Sequence, residues 1–262
     1  MAKLGITNDF ISLPLTYSFS NSQQDHPFEL YSQSLEQNCK DLLHKKLDIA
    51  FISAVDYARH SSELLLIKDF AIYTRGACKC ALLVFEENLL NIHRVAFLRN
   101  SQYQILADLV LKEYFEIESE WRKLDAPDSI AQLPQKAPIF FLDGNSAIEN
   151  ASIFENHLDI AEEWSERSGL SYIHQLLAVR RDTAISNFLQ PLAFAYETGM
   201  KALAAIAKAH AATHKNDWEY YYSLLTEIFQ YRPTEVTWED VQAYLEYLYY
   251  HGNIDFIPEL HF

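Results

Sequence analysis

The sequence predicts an α/β protein of two lobes with a helical C-terminal part. Up to about residue 180, short apolar runs such as Ile49–Ile52 alternate with helical patterns. Two β-prone stretches, 77–85 and 170–179, are long enough for strands that cross between two lobes. From Asp182 onward the apolar residues recur at helical spacing. These three observations favour two sheets, a helical tail and a cleft lined by polar turns.

Composition and charge narrow the range of functions. The chain has 262 residues, of which 49 % are apolar and 22 % charged, as in globular proteins that bury a large core. Its net charge of −15 disfavours nucleic-acid and anionic membrane partners. Cys39, Cys78 and Cys80 form no C-x-x-C pair, which fits a reducing compartment. The N-terminal apolar run is too short for a signal peptide and no stretch reaches transmembrane length, so we expect a cytoplasmic protein.

The predicted strands are bounded by turn residues and rich in apolar, β-prone side chains. They cover 4–6, 28–31, 49–52, 64–67, 71–73, 77–85, 94–98, 117–121, 139–142 and 170–179. Pro127 and Pro134 indicate that 124–136 is a loop or an edge region.

The predicted helices follow 3.6-residue periodicity and stop signals. They cover 34–46, a short segment from Ser53, 102–115, 147–151, 158–168, 188–210, 218–229 and 236–250. Ser101 is the natural N-cap of helix 102–115. Gly169 ends the acidic helix 158–168. Thr237 and Asp240 have the spacing of a capping box for the last helix.

Polar residues follow several predicted strands, where open α/β sheets bind ligands. Asn8 and Asp9 follow the first strand, and Ser53 follows 49–52. Ordinary turn chemistry would also explain Asn8 and Asp9, and helix capping would explain Ser53. Ser101 opens a strong helix whose N-terminus is a generic anion site.

Three further candidates each have an ordinary alternative. Arg75 could meet a carboxylate or form a surface ion pair. Cys80 is interpreted as a buried inert thiol, and His174 as either an interior residue or a ligand contact. The tyrosines of 220–250 lack an accompanying basic stripe, so we interpret them as packing or an interface, which a homodimer could use.

The sequence lacks the common motifs of cofactor and metal chemistry. It contains no Walker loop, no G-x-G-x-x-G, no H-E-x-x-H, no paired C-x-x-C and no G-x-S-x-G. Nucleotide binding, structural zinc and serine hydrolase chemistry therefore lose support. We expect no metal and no cofactor.

Four stretches together resemble the chorismate dehydratase family of the futalosine route to menaquinone. They are 4–5 with 12–15, 48–58, 158–164 with 168–170, and 244–262. The most specific is 48–58, which matches a D-x-x-x-x-S-x-x-D-Y-A pattern. The resemblance implies a periplasmic-binding-protein type II fold, with 1–85 and 178–262 in the first lobe and 86–177 in the second. It also implies a hydro-lyase that converts chorismate to 3-[(1-carboxyvinyl)oxy]benzoate.

The resemblance also implies roles for individual residues around a small carboxylic acid. Asn8 and Asn145 would act on the leaving hydroxyl group. The substrate-binding residues would be Ser12, Ser53, Arg75, Cys80, Ser101, Gln102, Tyr103 and His174.

Several positions depart from the family pattern. Ile11 stands where the family usually has Asn, and Cys80 where it has Ser. Ser101–Gln104 replaces a Ser-Arg-Thr-Ser turn, and Gly144-Asn145 replaces Gly-Asp. Tyr103 and Gln104 thus remove small hydroxyl donors and fill the expected cleft. These departures keep open an alternative, a non-catalytic or altered-specificity binding protein for a small organic acid.

Overall fold

The computed structural model describes residues 1–21, 27–86, 92–125, 127 and 129–262. Its strands are β1 (Ala2–Ile6), β2 (Phe28–Ser32), β3 (Ile49–Ile52), β4 (Leu64–Thr74), β5 (Ala81–Phe85), β6 (Arg94–Phe97), β7 (Glu120–Lys123), β8 (Ile139–Asp143), β9 (His157–Asp159) and β10 (Tyr172–Arg180). Its helices are α1 (Leu13–Asn21), α2 (Leu35–Leu43), α3 (Ala54–His60), α4 (Gln102–Phe115), α5 (Leu133–Lys136), α6 (Gly144–Asn150), α7 (Ile160–Ser168), α8 (Ser186–Lys201), α9 (Leu203–Ala211), α10 (Trp218–Ser223) and α11 (Glu235–Tyr250). Short 3₁₀ turns lie at Phe10–Ser12 and Ile130–Gln132, and a π-helical turn lies at Leu224–Ile228. Within these ranges, every helix falls short of the length and apolar character that crossing a membrane requires.

The chain divides into two compact units. Unit 1 comprises Met1–Thr74 and Ile173–Phe262, and unit 2 comprises Arg75–Tyr172. Residues 75–85, which the sequence assigned to the first lobe, lie in unit 2 because β5 pairs with β8 and β9. Residues 173–177 lie in unit 1 because β10 pairs with β3.

Unit 1 contains a five-stranded sheet in the order β2-β1-β3-β10-β4. β1 runs parallel to β2 and β3, with Leu4 opposite both Leu30 and Ile49. β10 runs antiparallel to β3, with Leu176 opposite Ile52. The carboxyl ends of β1, β2 and β3 therefore share one edge with the amino end of β10. We call this the first edge.

A buried amide ties two strands together just behind the first edge. Asn38 of α2 is fully buried, and its Nδ2 donates to the carbonyl oxygens of Phe51 (2.9 Å) and Ile6 (3.4 Å). Gly5 makes room for this side chain, because a Cβ at that position would lie 2.5 Å from Asn38 Oδ1. The amide thus links β1 and β3 near their carboxyl ends.

The helices of unit 1 depart most clearly from the sequence-based prediction at two points. The single helix predicted over 188–210 is wrong, because the chain leaves helical geometry at Ala202 between α8 and α9. The capping box predicted at Thr237 is also wrong. Thr234 is the N-cap of α11, and its Oγ1 accepts from the main-chain nitrogen of Thr237 at 3.3 Å.

Unit 2 contains a five-stranded sheet in the order β7-β6-β8-β5-β9. β6 is parallel to β7 and β8, and β5 is antiparallel to β8 and β9. The carboxyl ends of β6, β8 and β9 therefore share an edge with the amino end of β5. We call this the second edge. A hydrophobic core cluster in unit 2 includes the buried residues Leu82, Val84, Phe140, Leu142 and Phe154.

Several predicted strands and helices have the expected limits, and others do not. β3 and α4 match the predicted ranges, whereas 64–67 and 71–73 form the single strand β4. The strand predicted from residue 77 begins only at Ala81. Lys79 adopts a left-handed conformation (φ 58°), and the main-chain nitrogens of Cys78 and Lys79 donate to Asp159 Oδ2 instead of to a strand.

Candidate functional site

A closed ring of hydrogen bonds occupies the first edge. Ser12, which ends the 3₁₀ turn after β1, lies 2.8 Å from the hydroxyl of Thr7 and donates to Gln175 Oε1 at 3.0 Å. Gln175 Nε2 donates to Thr7 Oγ1 at 3.1 Å and to Asp9 Oδ2 at 3.3 Å. Ser12 and Gln175 are almost completely buried. The amide of β10 therefore fixes where the Ser12 hydroxyl lies.

Asn8 is a solvent-exposed member of the first edge. Its Oδ1 accepts a hydrogen bond from Ser32 Oγ, at the end of β2. An amide offers both donors and an acceptor, so Asn8 can hydrogen-bond to a ligand hydroxyl group in either sense. This placement agrees with the strand-end argument. Its catalytic role stays a prediction.

Ser53 has the geometry of a helix cap. Its Oγ accepts from the main-chain nitrogen of Asp56 (3.0 Å) and donates to Asp56 Oδ2 (2.6 Å). The residue is buried, so the capping alternative explains its hydroxyl group fully. Its contact with substrate stays a prediction.

His174 is fully buried in β10. Its Nε2 lies 2.9 Å from Thr74 Oγ1, and its ring meets Phe229 edge-on, with ring centroids 5.4 Å apart. Burial lowers the pKa of His174 to about 3, so the imidazole is neutral near pH 7. This environment matches the interior alternative, and a role in substrate binding stays a prediction.

The second edge carries an arginine–carboxylate pair that the sequence analysis missed. Arg99 follows β6, and its Nε donates to Asp143 Oδ1 at 2.8 Å. The Asp143 side chain is buried, whereas that of Arg99 is 58 % exposed. Asp143 Oδ2 is buried and has no hydrogen-bond partner among the described residues. The pair therefore presents guanidinium donors to solvent beside an unsatisfied carboxylate oxygen.

Ser101 directly precedes α4 but does not cap it with its side chain. Its Oγ is buried and makes no hydrogen bond to the part of the chain that the structure describes. Gln102 and Tyr103 occupy the first turn of α4, and the Tyr103 ring is buried with its centroid 5.9 Å from that of Tyr172. Ser101 Oγ is therefore an unsatisfied buried hydroxyl group beside the N-terminus of α4, where main-chain N–H groups favour an anion.

Asn145 and Cys80 both lie at the second edge, where Gly144, the residue before Asn145, is hydrogen-bonded to Cys80. Asn145 lies in the first turn of α6, which begins at Gly144 rather than at the predicted residue 147. The main-chain nitrogen of Gly144 donates to the carbonyl oxygen of Cys80 at 2.8 Å. The Cys80 side chain is fully buried, in agreement with the inert-thiol interpretation.

Exposed Arg75 donates from Nη2 to the carbonyl oxygen of Gly169 at 2.7 Å.

Asp159 lies at the second edge, where its carboxylate accepts hydrogen bonds from four main-chain nitrogens. Its Oδ2 accepts from Cys78 N (2.8 Å) and Lys79 N (2.6 Å), and its Oδ1 accepts from Ala161 N (3.1 Å) and Glu162 N (3.4 Å). Burial raises the pKa of Asp159, while these donors act in the opposite direction. Asp159 therefore holds the turn before β5 and the start of α7.

Comparison with known protein families identifies the family to which this chain belongs. Residues 2–250 match a family model described as menaquinone biosynthesis. The chain belongs to this menaquinone biosynthesis family. The resemblance to the chorismate dehydratase family, stated from four sequence stretches, is thereby confirmed.

Solved structures of other proteins share the fold. Protein AF1704 from Archaeoglobus fulgidus is 21 % identical, with a TM-score of 0.77 over 96 % of this chain and 98 % of that one. The alkanesulfonate-binding protein SsuA from Xanthomonas axonopodis pv. citri, bound to MOPS, is 12 % identical, with a TM-score of 0.68 over 98 % of this chain and 94 % of that one. A Candida albicans protein with the generic periplasmic-binding-protein fold is 9 % identical, with a TM-score of 0.62 over 100 % and 98 % of the two chains. The fold class predicted from the sequence is confirmed.

In this member of the menaquinone biosynthesis family, three positions that depart from the expected pattern are buried. Ile11 lies inside the 3₁₀ turn after β1, Cys80 lies before β5 and Tyr103 lies in α4. Each fills interior space within its own unit. The hydroxyl groups of Ser12 and Ser101 are retained beside them.

Proposed function

We propose that this chain is a hydro-lyase of the chorismate dehydratase type, which converts chorismate to 3-[(1-carboxyvinyl)oxy]benzoate and water in menaquinone biosynthesis. The match of residues 2–250 to the menaquinone biosynthesis family carries the proposal. Hydroxyl and amide groups at the ends of parallel strands support it, because they suit a polyoxygenated acid.

The reaction makes modest demands on the protein. A ring hydrogen and the ring hydroxyl group leave together as water, and the ring becomes aromatic. The driving force therefore lies in the substrate. Catalysis can then consist mainly of holding the substrate in the reactive orientation and of hydrogen-bonding the departing hydroxyl group.

The first edge would supply one set of contacts. Asn8 would hydrogen-bond to the leaving hydroxyl group, and Ser12, whose hydroxyl hydrogen is donated to Gln175, stays a predicted contact. Ser53 would contribute through the main chain at the start of α3, because its hydroxyl group is bonded to Asp56. With a net charge of −15, the protein must hold an anionic ligand by such local donors.

The second edge would supply a positively charged hydrogen-bond donor in addition to neutral ones. Ser101 and Gln102 at the start of α4 would hold a carboxylate, and the exposed Arg99 would add charge-assisted donors. Asn145 would act on the leaving hydroxyl group, as the family resemblance implies. Arg75, Cys80, Tyr103 and His174 stay predicted contacts.

Incubation of the purified chain with chorismate tests the proposal. We expect an aromatic product one water lighter than chorismate, followed by ultraviolet absorbance and mass spectrometry. Asn8→Ala and Asn145→Ala should each lower kcat/KM by at least about 10-fold, since each removes a hydrogen bond to the reacting group. Asn253→Ala is the matched control, because within the described part of the chain Asn253 forms hydrogen bonds only through its main chain, with Arg59 and Leu248. Absence of product from folded protein would refute the lyase.

A binding protein for a small organic acid is the second candidate. The altered turn at 101–104 favours it, since Tyr103 is buried against Tyr172 where the family has a small hydroxyl residue. Thermal-shift measurements with chorismate and with aromatic acids distinguish the two candidates. A shift without turnover supports the binding protein, and turnover supports the lyase.

Two broader expectations belong with this proposal. A cytoplasmic location would give the enzyme access to its substrate, and fractionation of cells tests it. The homodimer suggested by the tyrosine-rich C-terminal part is tested by sedimentation. Tyr249 and Tyr250, which are exposed on α11, are the residues to substitute if a dimer forms.

A further inference from the structure

The turn that carries Asn8 is held by a side chain from a distant part of the chain. Asn8 follows β1 and lies between Thr7 and Asp9. Gln175 of β10 donates from Nε2 to Thr7 Oγ1 at 3.1 Å and to Asp9 Oδ2 at 3.3 Å. The main-chain nitrogen of Asp9 also donates to Thr7 Oγ1 at 3.4 Å. One amide therefore bonds to the residue on each side of Asn8 and restricts the backbone between them.

The donors and acceptors of this network fit one orientation of the Gln175 amide. An ionised carboxylate only accepts, so Nε2 faces Asp9 and Oε1 receives the hydroxyl hydrogen of Ser12 at 3.0 Å. The Thr7 hydroxyl group, 2.8 Å from Ser12 Oγ, then donates to Ser12. The result is a closed cycle in which each hydroxyl group donates once, and such cycles strengthen their members cooperatively.

Gln175 lies too deep in the interior to touch a ligand itself. Its side chain is 1 % exposed, and its neighbours in β10, His174 and Leu176, are fully buried. An amide at such a position is costly unless it is hydrogen-bonded, whereas an apolar side chain would need no partner. The hydrogen bonds of the Gln175 side chain lead to residues 7–12. Any influence of Gln175 on a reaction therefore passes through that segment.

We propose that Gln175 is a positioning residue for Asn8, which it orients by holding the residues on either side of it. The inference rests on the proposed lyase, in which Asn8 hydrogen-bonds to the leaving hydroxyl group. The Ser32 hydroxyl group at the end of β2 donates to Asn8 Oδ1, so β10 holds the turn and β2 holds the amide itself. Displacement of such a group by about 1 Å can cost about 100-fold in rate. Loss of the Gln175 hydrogen bonds should therefore lower kcat, whereas KM depends mainly on carboxylate contacts at the second edge.

Kinetics with chorismate test whether Gln175 acts through Asn8. Gln175→Met keeps the length of the side chain and removes its hydrogen bonds, so kcat should fall at least about 10-fold while KM changes less than about 3-fold. Introduced into Asn8→Ala, the same substitution should lower kcat by less than about 3-fold, because the group to be positioned is already gone. A merely structural role predicts equal losses in the two backgrounds, and equal losses would overturn the proposal.

Two further variants support this comparison. Gln242→Met is the matched control, because Gln242 of α11 donates from Nε2 to the carbonyl oxygen of Pro258 at 3.1 Å, and neither residue belongs to the first edge. It should leave kcat and KM at wild-type values. Thr7→Val keeps the shape of the side chain and removes the hydroxyl group that receives the Gln175 hydrogen bond, so it serves if Gln175→Met does not fold. Its loss of kcat should likewise depend on Asn8, and a loss independent of Asn8 would refute the proposal.

NMR spectroscopy of the free protein separates this inference from the lyase itself. The side-chain amide signals of Asn8 are assigned by their absence in Asn8→Ala. In Gln175→Met these signals should shift and their heteronuclear NOE should fall, whereas Gln242→Met should leave both unchanged. A wild type without turnover would refute the lyase, and the Asn8 signals would still decide whether Gln175 positions Asn8. Unchanged signals in Gln175→Met would overturn that role.

Discussion

The two edges differ in how their polar groups are satisfied. At the first edge, Thr7, Ser12 and Gln175 hydrogen-bond to one another in a buried ring. At the second edge, Ser101 Oγ and Asp143 Oδ2 are buried without a partner among the described residues. Both edges are built the same way, from the carboxyl ends of parallel strands beside an antiparallel one. The backbone arrangement therefore does not determine how far the polar groups are satisfied.

This difference indicates that the two edges have different roles, one in stability and the other in binding. A satisfied buried network fixes positions and contributes to stability, whereas an unsatisfied buried group carries a desolvation cost of about 1–3 kcal/mol. A ligand that pairs with that group recovers the cost. We therefore expect substitutions in the buried ring of the first edge to lower stability and those at the second edge to lower binding.

The largest effect should come from Gln175→Leu at the first edge. The substitution removes three hydrogen bonds from a buried position and leaves Ser12 and Asp9 without their shared partner. We expect the free energy of unfolding to fall by about 2–3 kcal/mol in urea denaturation. An unchanged unfolding midpoint would show that the network contributes little and would remove the contrast between the edges.

The next effect concerns His174 and depends on pH. Because the folded-state pKa of about 3 lies below the ordinary 6.5, protonation favours the unfolded chain. The stabilising contribution is complete above pH 6.5 and is lost as the pH falls towards 3. At pH 5 the loss should be roughly 2 kcal/mol, by the 1.36 kcal/mol that each pKa unit represents.

His174→Gln tests that dependence. Glutamine can still hydrogen-bond to Thr74 but does not titrate, so stability between pH 7 and 4 should fall less steeply than in the wild type. Denaturation midpoints measured across this range provide the comparison. Parallel curves for the two proteins would contradict a buried, neutral His174.

The paired substitutions Ser12→Ala and Ser101→Ala sharpen the contrast directly. Ser12→Ala should cost about 1 kcal/mol of stability because it breaks the ring. Ser101→Ala should change stability by less than about 0.5 kcal/mol but weaken chorismate binding about 10-fold, the worth of a hydrogen bond to a carboxylate. Unfolding and thermal-shift titration measure the two quantities. Equal stability losses in the two variants would contradict the different roles of the two edges.

The smallest change in stability is expected for Arg99→Gln. Arg99 is largely solvent-exposed, and glutamine can still donate a hydrogen bond to the buried Asp143 carboxylate, so the substitution should cost less than about 1 kcal/mol. If Arg99 meets a carboxylate, the Kd for chorismate should rise while the unfolding midpoint barely moves. A matched substitution at exposed Arg94, which pairs with Glu120, should change neither quantity appreciably.

Local sequence signals predicted much of the fold. The periodic residues of α4 and the apolar run of β3 gave the correct limits, because burial of one face or of both faces leaves a direct trace in sequence. The turn at Cys78 and Lys79 could not be found this way. It depends on main-chain donation to Asp159, which lies some 80 residues further along the chain.

The candidate site was predicted only where a strand end was followed by polar residues. Asn8, Ser53 and Ser101 were found by that rule, but their hydrogen bonding differs in each case. Gln175 was missed because it lies within an apolar strand and its partners are more than 160 residues away. Pairings at that distance in sequence leave no periodic signal.

The amide of Asn38 has a consequence for ligand recognition. Its two hydrogen bonds add to the direct pairing of β1 with β3 and help to fix the separation of the strand ends before a ligand binds. A ligand whose oxygens fit that separation binds without an entropic penalty for ordering the protein, and one that needs a wider or narrower separation is rejected. Selectivity among closely related acids would then originate in a side chain that touches none of them.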